Sequence, residues 1–384
     1  MTLRDFMSDF IEIYGKSKWS YSTYTNNVAR MKNYIEPHIG DMELTDITTK
    51  DIESFYCKLL DCPSPRAGIA RCTPSVIREI SKMLSVAFDR AVIYKLISEN
   101  PCKFAVVPHE THKKREIWTL DNITTALNMC TNPLLSLAID LAFTCTLRES
   151  EILGLRIDKI NMDEGYVFID SQIQRIKEDQ IGQINAKMIN YRFPKQHQDS
   201  TTQIVLIEPK TQNSIRKVYF GDSLKRKISE RFERIESNMR RFGSEYQDHG
   251  LLVCFDNGNP IEPNKLGRDF RRFVRENELP CVDFHSLRHS SITYKLKATN
   301  GNLKAVQGDA GHAQLRLISE VYSHILDEDR KENAVLLENL INRENTPNDI
   351  INTDSDIDYL KLEKMLKTDE GKSLISALMN VLRI

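Results

Sequence analysis

Among the eight cysteines there is no Cys-x-x-Cys pair and no cysteine–histidine zinc spacing. Neither a dithiol redox motif nor a zinc finger is indicated, and reduced thiols in a cytosol are the expected state. The chain opens without an apolar export segment and contains no apolar run long enough to span a membrane, so a cytoplasmic location without membrane attachment is expected. A Gly-x-x-x-x-Gly-Lys-Ser/Thr phosphate loop is missing as well, which gives no sign of nucleotide hydrolysis. Net charge is close to nil: 53 Lys and Arg stand against 54 Asp and Glu, leaving −1. That balance excludes little, because binding a polyanion requires a basic face rather than a basic total. No cofactor and no metal is indicated.

What is present is helix. A chain of 384 residues has room for about two or three domains. Residues 1–107 read as an all-helical unit, with helices beginning around Phe6, Phe10 and Ile11 and continuing at Tyr24 to Tyr34, Ile47 to Leu60 and Ser75 to Leu96. Residues 108–116 read as a linker, opened by Pro108 and carrying Lys113-Lys114-Arg115. In residues 117–343 helices alternate with short strands at Tyr166 to Ile173, Ile204 to Ile207 and Lys217 to Phe220. The last two runs flank a polar Gln212-Asn213-Ser214 turn and predict a hairpin. Residues 344–384 combine an acidic tether with an amphipathic helical pattern from Leu360 to Leu382. The fold class expected is mainly α with a small β-sheet, α+β.

The chemistry concentrates near the C-terminal end. His285-Ser286-Leu287-Arg288-His289 is followed by Gly311-His312 and, ten residues after that histidine, by Tyr322. Breaking a phosphodiester gathers negative charge on the non-bridging oxygens, and a planar guanidinium neutralises it with paired hydrogen bonds. If residues 285–298 are helical, His285 and Arg288 share a face. Tyr322 becomes a competent nucleophile when a histidine accepts its proton and cations stabilise the phenolate. Together these groups can attack a phosphodiester without a metal. A second arginine, Arg148, opens an apolar helix in Thr144-Cys145-Thr146-Leu147-Arg148-Glu149-Ser150-Glu151-Ile152-Leu153-Gly154-Leu155, where it is expected to project freely from a helix start that suits an anion. Taken singly, each of these residues has an ordinary structural reading: a lone histidine is usually a hydrogen-bonded structural residue, and a tyrosine beside Ile318 and Val321 is usually packed. The set is harder to explain that way.

These residues carry a family resemblance. Leu147-Arg148-Glu149-Ser150-Glu151 with Gly154-Leu155, the His285-x-x-Arg288 pair, Gly311-His312 and Tyr322-Ser323-His324 resemble, in order and spacing, the tyrosine recombinases, also called the phage integrase family. Tyr34-Ile35-Glu36-Pro37-His38-Ile39-Gly40, Leu44-Thr45-Asp46-Ile47 and Asn100-Pro101 resemble that family's core-binding domain. The resemblance implies a helical, SAM-like core-binding domain followed by a catalytic domain. It implies that Arg148 and Arg288 clamp the scissile phosphate, that His285 and His312 position it and manage the nucleophile's proton, and that Tyr322 attacks. Glu208-Pro209-Lys210-Thr211-Gln212-Asn213-Ser214-Ile215-Arg216 is similar to the family's Pro-Lys-Thr-x-x-Ser-x-Arg hairpin, which makes Lys210 the general acid. Two departures stand out: Thr146 occupies the place of a glycine, and Ala310 that of a leucine. Both read as packing positions.

The expected function is a site-specific DNA recombinase or integrase that cleaves and rejoins DNA through a 3′-phosphotyrosyl intermediate, for integration or excision of a mobile element. Its expected partners are double-stranded DNA attachment sites, a homotetramer assembled on two of them, and accessory directionality or DNA-bending proteins. A type IB topoisomerase that relaxes supercoils, and a catalytically silent DNA-binding regulator on the same fold, are the alternatives. Leu3 already begins the core-binding pattern, so the family's frequent arm-binding domain is not expected. Three segments keep two readings each. Lys16 to Tyr24 forms a helix cap with Trp19 on the core or, as the family resemblance favours, lies against a DNA backbone; Ser171 to Ser200 contacts DNA or, as charge alone favours, is a solvated loop; the C-terminal helix docks on a neighbouring protomer or folds back, the two being equally open.

Overall fold

The computed structural model describes residues 1–64, 71–109, 116–181, 189–195, 199–209, 211–299, 301–311 and 335. Most of the chain expected to link the lobes, the acidic tether and the C-terminal amphipathic pattern lie outside the described residues. So do Lys210, His312 and Tyr322. Among the described residues no helix is long and apolar enough to cross a membrane.

The N-terminal helices form where the apolar periodicity places them. Helix α1 (Leu3–Phe10) starts in a capping box in which Thr2 and Asp5 exchange hydrogen bonds, and it runs on through a wider π turn (Ile11–Gly15) into Lys16–Lys18. Helix α2 (Tyr21–Arg30) continues in the same way through Met31–Ile35 to Glu36–Ile39. Helix α3 (Thr49–Asp61) opens on a second such box, Thr48 with Asp51, and α4 (Pro74–Ile93) on Thr73 with proline at its first position. Their inward faces make one core that includes Leu3, Phe6, Ile35, Ile52, Phe55, Leu84 and Phe88. Trp19 joins its edge, T-shaped to Phe10 at 5.5 Å and to Tyr14 at 6.2 Å. The cap reading of that segment therefore holds for Trp19.

A separate core begins at Trp118 and gathers α5 (Leu120–Met129), α6 (Pro133–Thr144), α7 (Glu149–Leu153), α9 (Asp222–Phe242), α10 (Lys265–Glu276) and the start of α11 (Phe284–Ala298). Helix α11 is capped by Asp283, whose carboxylate accepts from the Ser286 amide at 2.8 Å. Trp118 is seated on α11 by its own amide, which donates to Ser290 Oγ at 3.0 Å. Short α12 (Leu303–Ala310) closes on α11 through Ile292, Leu296, Val306 and Ala310, and through a 2.6 Å ion pair between Lys295 and Asp309.

Two small antiparallel sheets complete this part. One orders β1 (Ile160–Asn161), β2 (Tyr166–Ile169) and β6 (Arg216–Tyr219); the other orders β3 (Gln172–Lys177), β5 (Thr202–Ile207) and β4 (Ile189–Arg192). Two sequence expectations change here. The single strand expected from Tyr166 to Ile173 breaks at Asp170-Ser171 into β2 and β3, which belong to different sheets. The hairpin expected between the two later runs does not form, because β5 pairs with β3 and β4 while β6 pairs with β2. The break causes both changes. Ile169 opposes Arg216 and Gln172 opposes Ile207, so β5 ends in one sheet and β6 begins in the other. Ser171 pins the break by donating to the Gly154 carbonyl at 3.1 Å, and Gly154 must be glycine because a Cβ there would lie 2.7 Å from Gln172 Cα. The stretch from Ser171 to Ser200 is accordingly not only a solvated loop: it supplies β3, β4 and the short α8 (Glu178–Ile181). Ile181 and Ile189 cover one side of β5 together with Tyr21, whose hydroxyl accepts from the Lys177 amide at 2.9 Å.

Candidate active site

Arg148 ends the turn after α6 and is the N-cap of α7. It does not project freely. Its Nη1 donates to Glu151 Oε1 at 2.6 Å, and its amide donates to Glu151 Oε2 at 2.9 Å. The anion at this helix start is therefore the chain's own carboxylate, three residues on, which corrects the expectation of an open anion site. The reason is local: an acidic side chain at the third helical position folds back onto the cap.

Glu151 is only 2% exposed and has a second cation. Arg216, at the start of β6, donates from Nη2 to Oε2 at 3.0 Å and from Nη1 to Oε1 at 3.2 Å. Burial alone pushes this carboxyl up. The charge and hydrogen bonds of Arg216, then the charges of Arg148 and Arg288, outweigh burial and hold it at about 2. Glu149, on the other side of Arg148, behaves oppositely. Burial raises its carboxyl above the usual range while it accepts from the Gly267 amide at 3.1 Å, fixing α10 to the Arg148 turn.

Arg288 lies on the second turn of α11 and is 1% exposed. Its Nη1 donates to the Thr146 carbonyl and its Nη2 to the Ala310 carbonyl. Its Nε, also buried, has no hydrogen-bond partner among the described residues. Burial, then the positive charge of Arg148, push the guanidinium down to about 9. Thr146 and Arg148 belong to one turn, so both arginines converge there. Three guanidiniums, those of Arg148, Arg216 and Arg288, thus bear on a single carboxylate. Buried positive charge in such excess favours an arriving anion with several acceptor oxygens.

His285 sits one turn before Arg288 on the exposed side of α11, its ring edge-on to His289 at 4.8 Å. The spacing of His285 and Arg288 predicts a shared face, but on the helix they lie at different depths, His285 exposed and Arg288 buried, because α11 packs its Arg288 side into the core. Among the expected site residues the structure brings together Arg148, Arg288 and the first turn of α11 bearing His285. Glu151 and Arg216 were not singled out by sequence reasoning. The signals were there, in the capping-box spacing after Arg148 and in the arginine that closes the Lys210 pattern, but a buried carboxylate is recognisable only once its partners are placed.

Around this site the exposed side of α10 is basic. Arg268, Arg271, Arg272 and Arg275 face outward, opposite Leu266, Phe270, Phe273 and Val274 in the core. Arg271 and Arg268 also act on Glu149, which places the start of this helix beside the Arg148 turn.

Known proteins resemble this chain in sequence and in fold. The model of the phage integrase N-terminal SAM-like domain matches residues 2–60, and that of the phage integrase family matches residues 192–329. A tyrosine recombinase XerC-like protein of Caldanaerobacter subterraneus subsp. tengcongensis is 26% identical over 346 residues, covering 87% of this chain and 82% of that protein. The ICEBs1 integrase of Bacillus subtilis is 23% identical over 329 residues, covering 82% and 78% respectively. The Tn1549 transposon integrase in complex with transposon right end DNA has a similar structure, with a TM-score of 0.68 at 17% identity, covering 88% of this chain and all of that one, 100%. A lambda integrase tetramer bound to a Holliday junction gives a TM-score of 0.57 at 18% identity, covering 84% of this chain and 77% of that one. The chain belongs to the tyrosine recombinase, or phage integrase, family, whose members break and rejoin DNA strands at specific sites.

Proposed function

We propose that this recombinase integrates or excises a mobile element, with Arg148 and Arg288 holding the scissile phosphate. The observation that carries this reading is the convergence of the buried Arg288 and the half-buried Arg148 on the turn at Thr146 to Arg148, with one carboxylate shared among three guanidiniums. In the proposed reaction Tyr322 Oη attacks phosphorus and the bond to the 5′-oxygen breaks. The phenol's proton passes to the histidines, His285 and His312, and Lys210 protonates the departing 5′-oxygen. The resulting 3′-phosphotyrosyl ester preserves the energy of the broken bond, so that a 5′-hydroxyl from another strand reverses the step and joins new ends. The guanidiniums act by stabilising the charge that builds on the phosphoryl oxygens.

Double-stranded attachment sites are the proposed substrate, gripped by residues 1–107 and 117–343 as two lobes joined through 108–116. The two separate cores and the basic face of α10 support this. A homotetramer on two sites, aided by accessory directionality or DNA-bending proteins, is proposed for strand exchange, and the cytoplasm as its location. Two assays test the reading. A nicked suicide substrate that carries an attachment site should trap a covalent adduct with the wild-type chain and none with Tyr322→Phe. A gel that separates relaxed from recombined circles should show recombinants that depend on two sites. Adduct formation by Tyr322→Phe, or relaxation without recombinants, would count against it.

A further inference from the structure

Arg216 meets more of the catalytic machinery than any other described side chain of the site. It is buried, and its fork joins its own stretch of chain to two segments distant in sequence. Nη1 and Nη2 take the two oxygens of Glu151, which anchors Arg148. Nη1 also donates to the Ser214 carbonyl at 2.8 Å, at the end of the segment that carries Lys210. Nε donates to the Asp309 carbonyl at 2.7 Å, in the last turn of α12, three residues before His312. The chain then passes closely over Arg216. At Gly311, with φ 57°, an added Cβ would lie 2.9 Å from Arg216 Nη1 and 3.0 Å from the Asn213 carbonyl.

We propose that Arg216 is a positioning residue of the cleavage reaction, holding the Arg148 anchor, the Lys210 segment and the approach to His312 in one register without touching DNA itself. The inference rests on the active-site reading above. Its physical basis is the fork: a guanidinium offers five N–H groups in fixed directions, whereas a lysine ammonium is a point donor and cannot meet both oxygens of a carboxylate and two carbonyls at once. Arg216 also supplies the largest of the attractions that keep Glu151 ionised. The other charged groups acting on that carboxylate are Arg148 from its own turn and Arg288 from α11.

The test compares the full-length chain with Arg216→Gln and Arg216→Lys in single-turnover cleavage of the suicide substrate, and measures non-covalent affinity for the same DNA in the Tyr322→Phe background. Both variants should cleave about a hundredfold more slowly, the effect of misplacing reacting groups by about an ångström, with lysine giving little rescue. Affinity should change no more than about threefold, since the lost interaction acts in the transition state. In Arg216→Gln the acid limb of the rate against pH should move upward, because Glu151 then takes up a proton at higher pH. A purely structural residue would instead lower the folded fraction and reduce binding and cleavage in parallel, with the pH profile of the remaining activity unchanged; that result would overturn the proposal. So would cleavage at the wild-type rate. If Arg216→Gln does not fold, the pair Glu151→Gln with Arg216→Gln removes both buried charges, and wild-type cleavage by that pair would equally overturn it. Absence of any Tyr322 adduct in the wild-type chain is a different failure, that of the active-site reading itself.

Discussion

The Thr146 carbonyl accepts from Arg288 Nη1 while Thr146 itself holds a left-handed φ of 56°. A β-branched residue rarely adopts that conformation, which explains why the family resemblance places a glycine here. The position is conformational, not only one of packing. Thr146 is fully buried, and its hydroxyl exchanges a 2.8 Å hydrogen bond with Ser291, one turn beyond Arg288 on α11. Thr146→Ala keeps the left-handed penalty and loses the hydroxyl bond, whereas Thr146→Gly loses the bond but releases the penalty of about 1–2 kcal/mol. Urea denaturation should therefore find the alanine variant less stable than the glycine variant by about 1 kcal/mol. The opposite order would contradict this account of the turn.

Glu151 links the site to acid stability. Its carboxyl, held at about 2, lies below its ordinary value of 4.5, so its contribution is fully present above about pH 4.5 and is lost as pH falls toward 2. The depression corresponds to about 3 kcal/mol. Glu151→Gln should be destabilised by about 3–5 kcal/mol at neutral pH, because Arg148 and Arg216 are left facing a neutral amide. Between pH 5 and 3, wild type should lose stability more steeply than the variant, as measured by denaturant unfolding at each pH. Parallel curves would show that Glu151 is not held ionised by its arginines.

Gly311→Ala tests how tightly the approach to His312 is packed. A left-handed alanine costs about 1 kcal/mol by itself, and its Cβ must also displace Arg216. Thermal denaturation should register that loss. Cleavage should fall by more than the loss of folded protein explains, as far as about a hundredfold. Unchanged cleavage would mean that Arg216 yields freely.

The outward arginines of α10 have a signature in salt. If Arg268 and Arg275 each contact a phosphate, replacing both with alanine should reduce the slope of log affinity against log salt by about 2, with similar weakening on specific and unrelated DNA. Fluorescence anisotropy at several salt concentrations measures this slope. An unchanged slope would place the DNA elsewhere.

The sequence by itself determined the family, the helical character of the N-terminal part and the helix that carries both His285 and Arg288. Each of these is written in contiguous or regularly spaced residues: the Thr48-x-x-Asp51 box that starts α3, and the His285-x-x-Arg288 string that lies within one helix, α11. Tertiary structure decided what depends on partners distant in the chain. Strands β5 and β6 are both legible as strands, yet their pairing was fixed by the break at Asp170-Ser171, pinned from Gly154. Arg148 looked free because its spacing shows only where it starts a helix. Only folding brings Arg216, 65 residues after Glu151, into a buried position beside it, where one carboxylate must serve several guanidiniums and the energy of each charge depends on all the others.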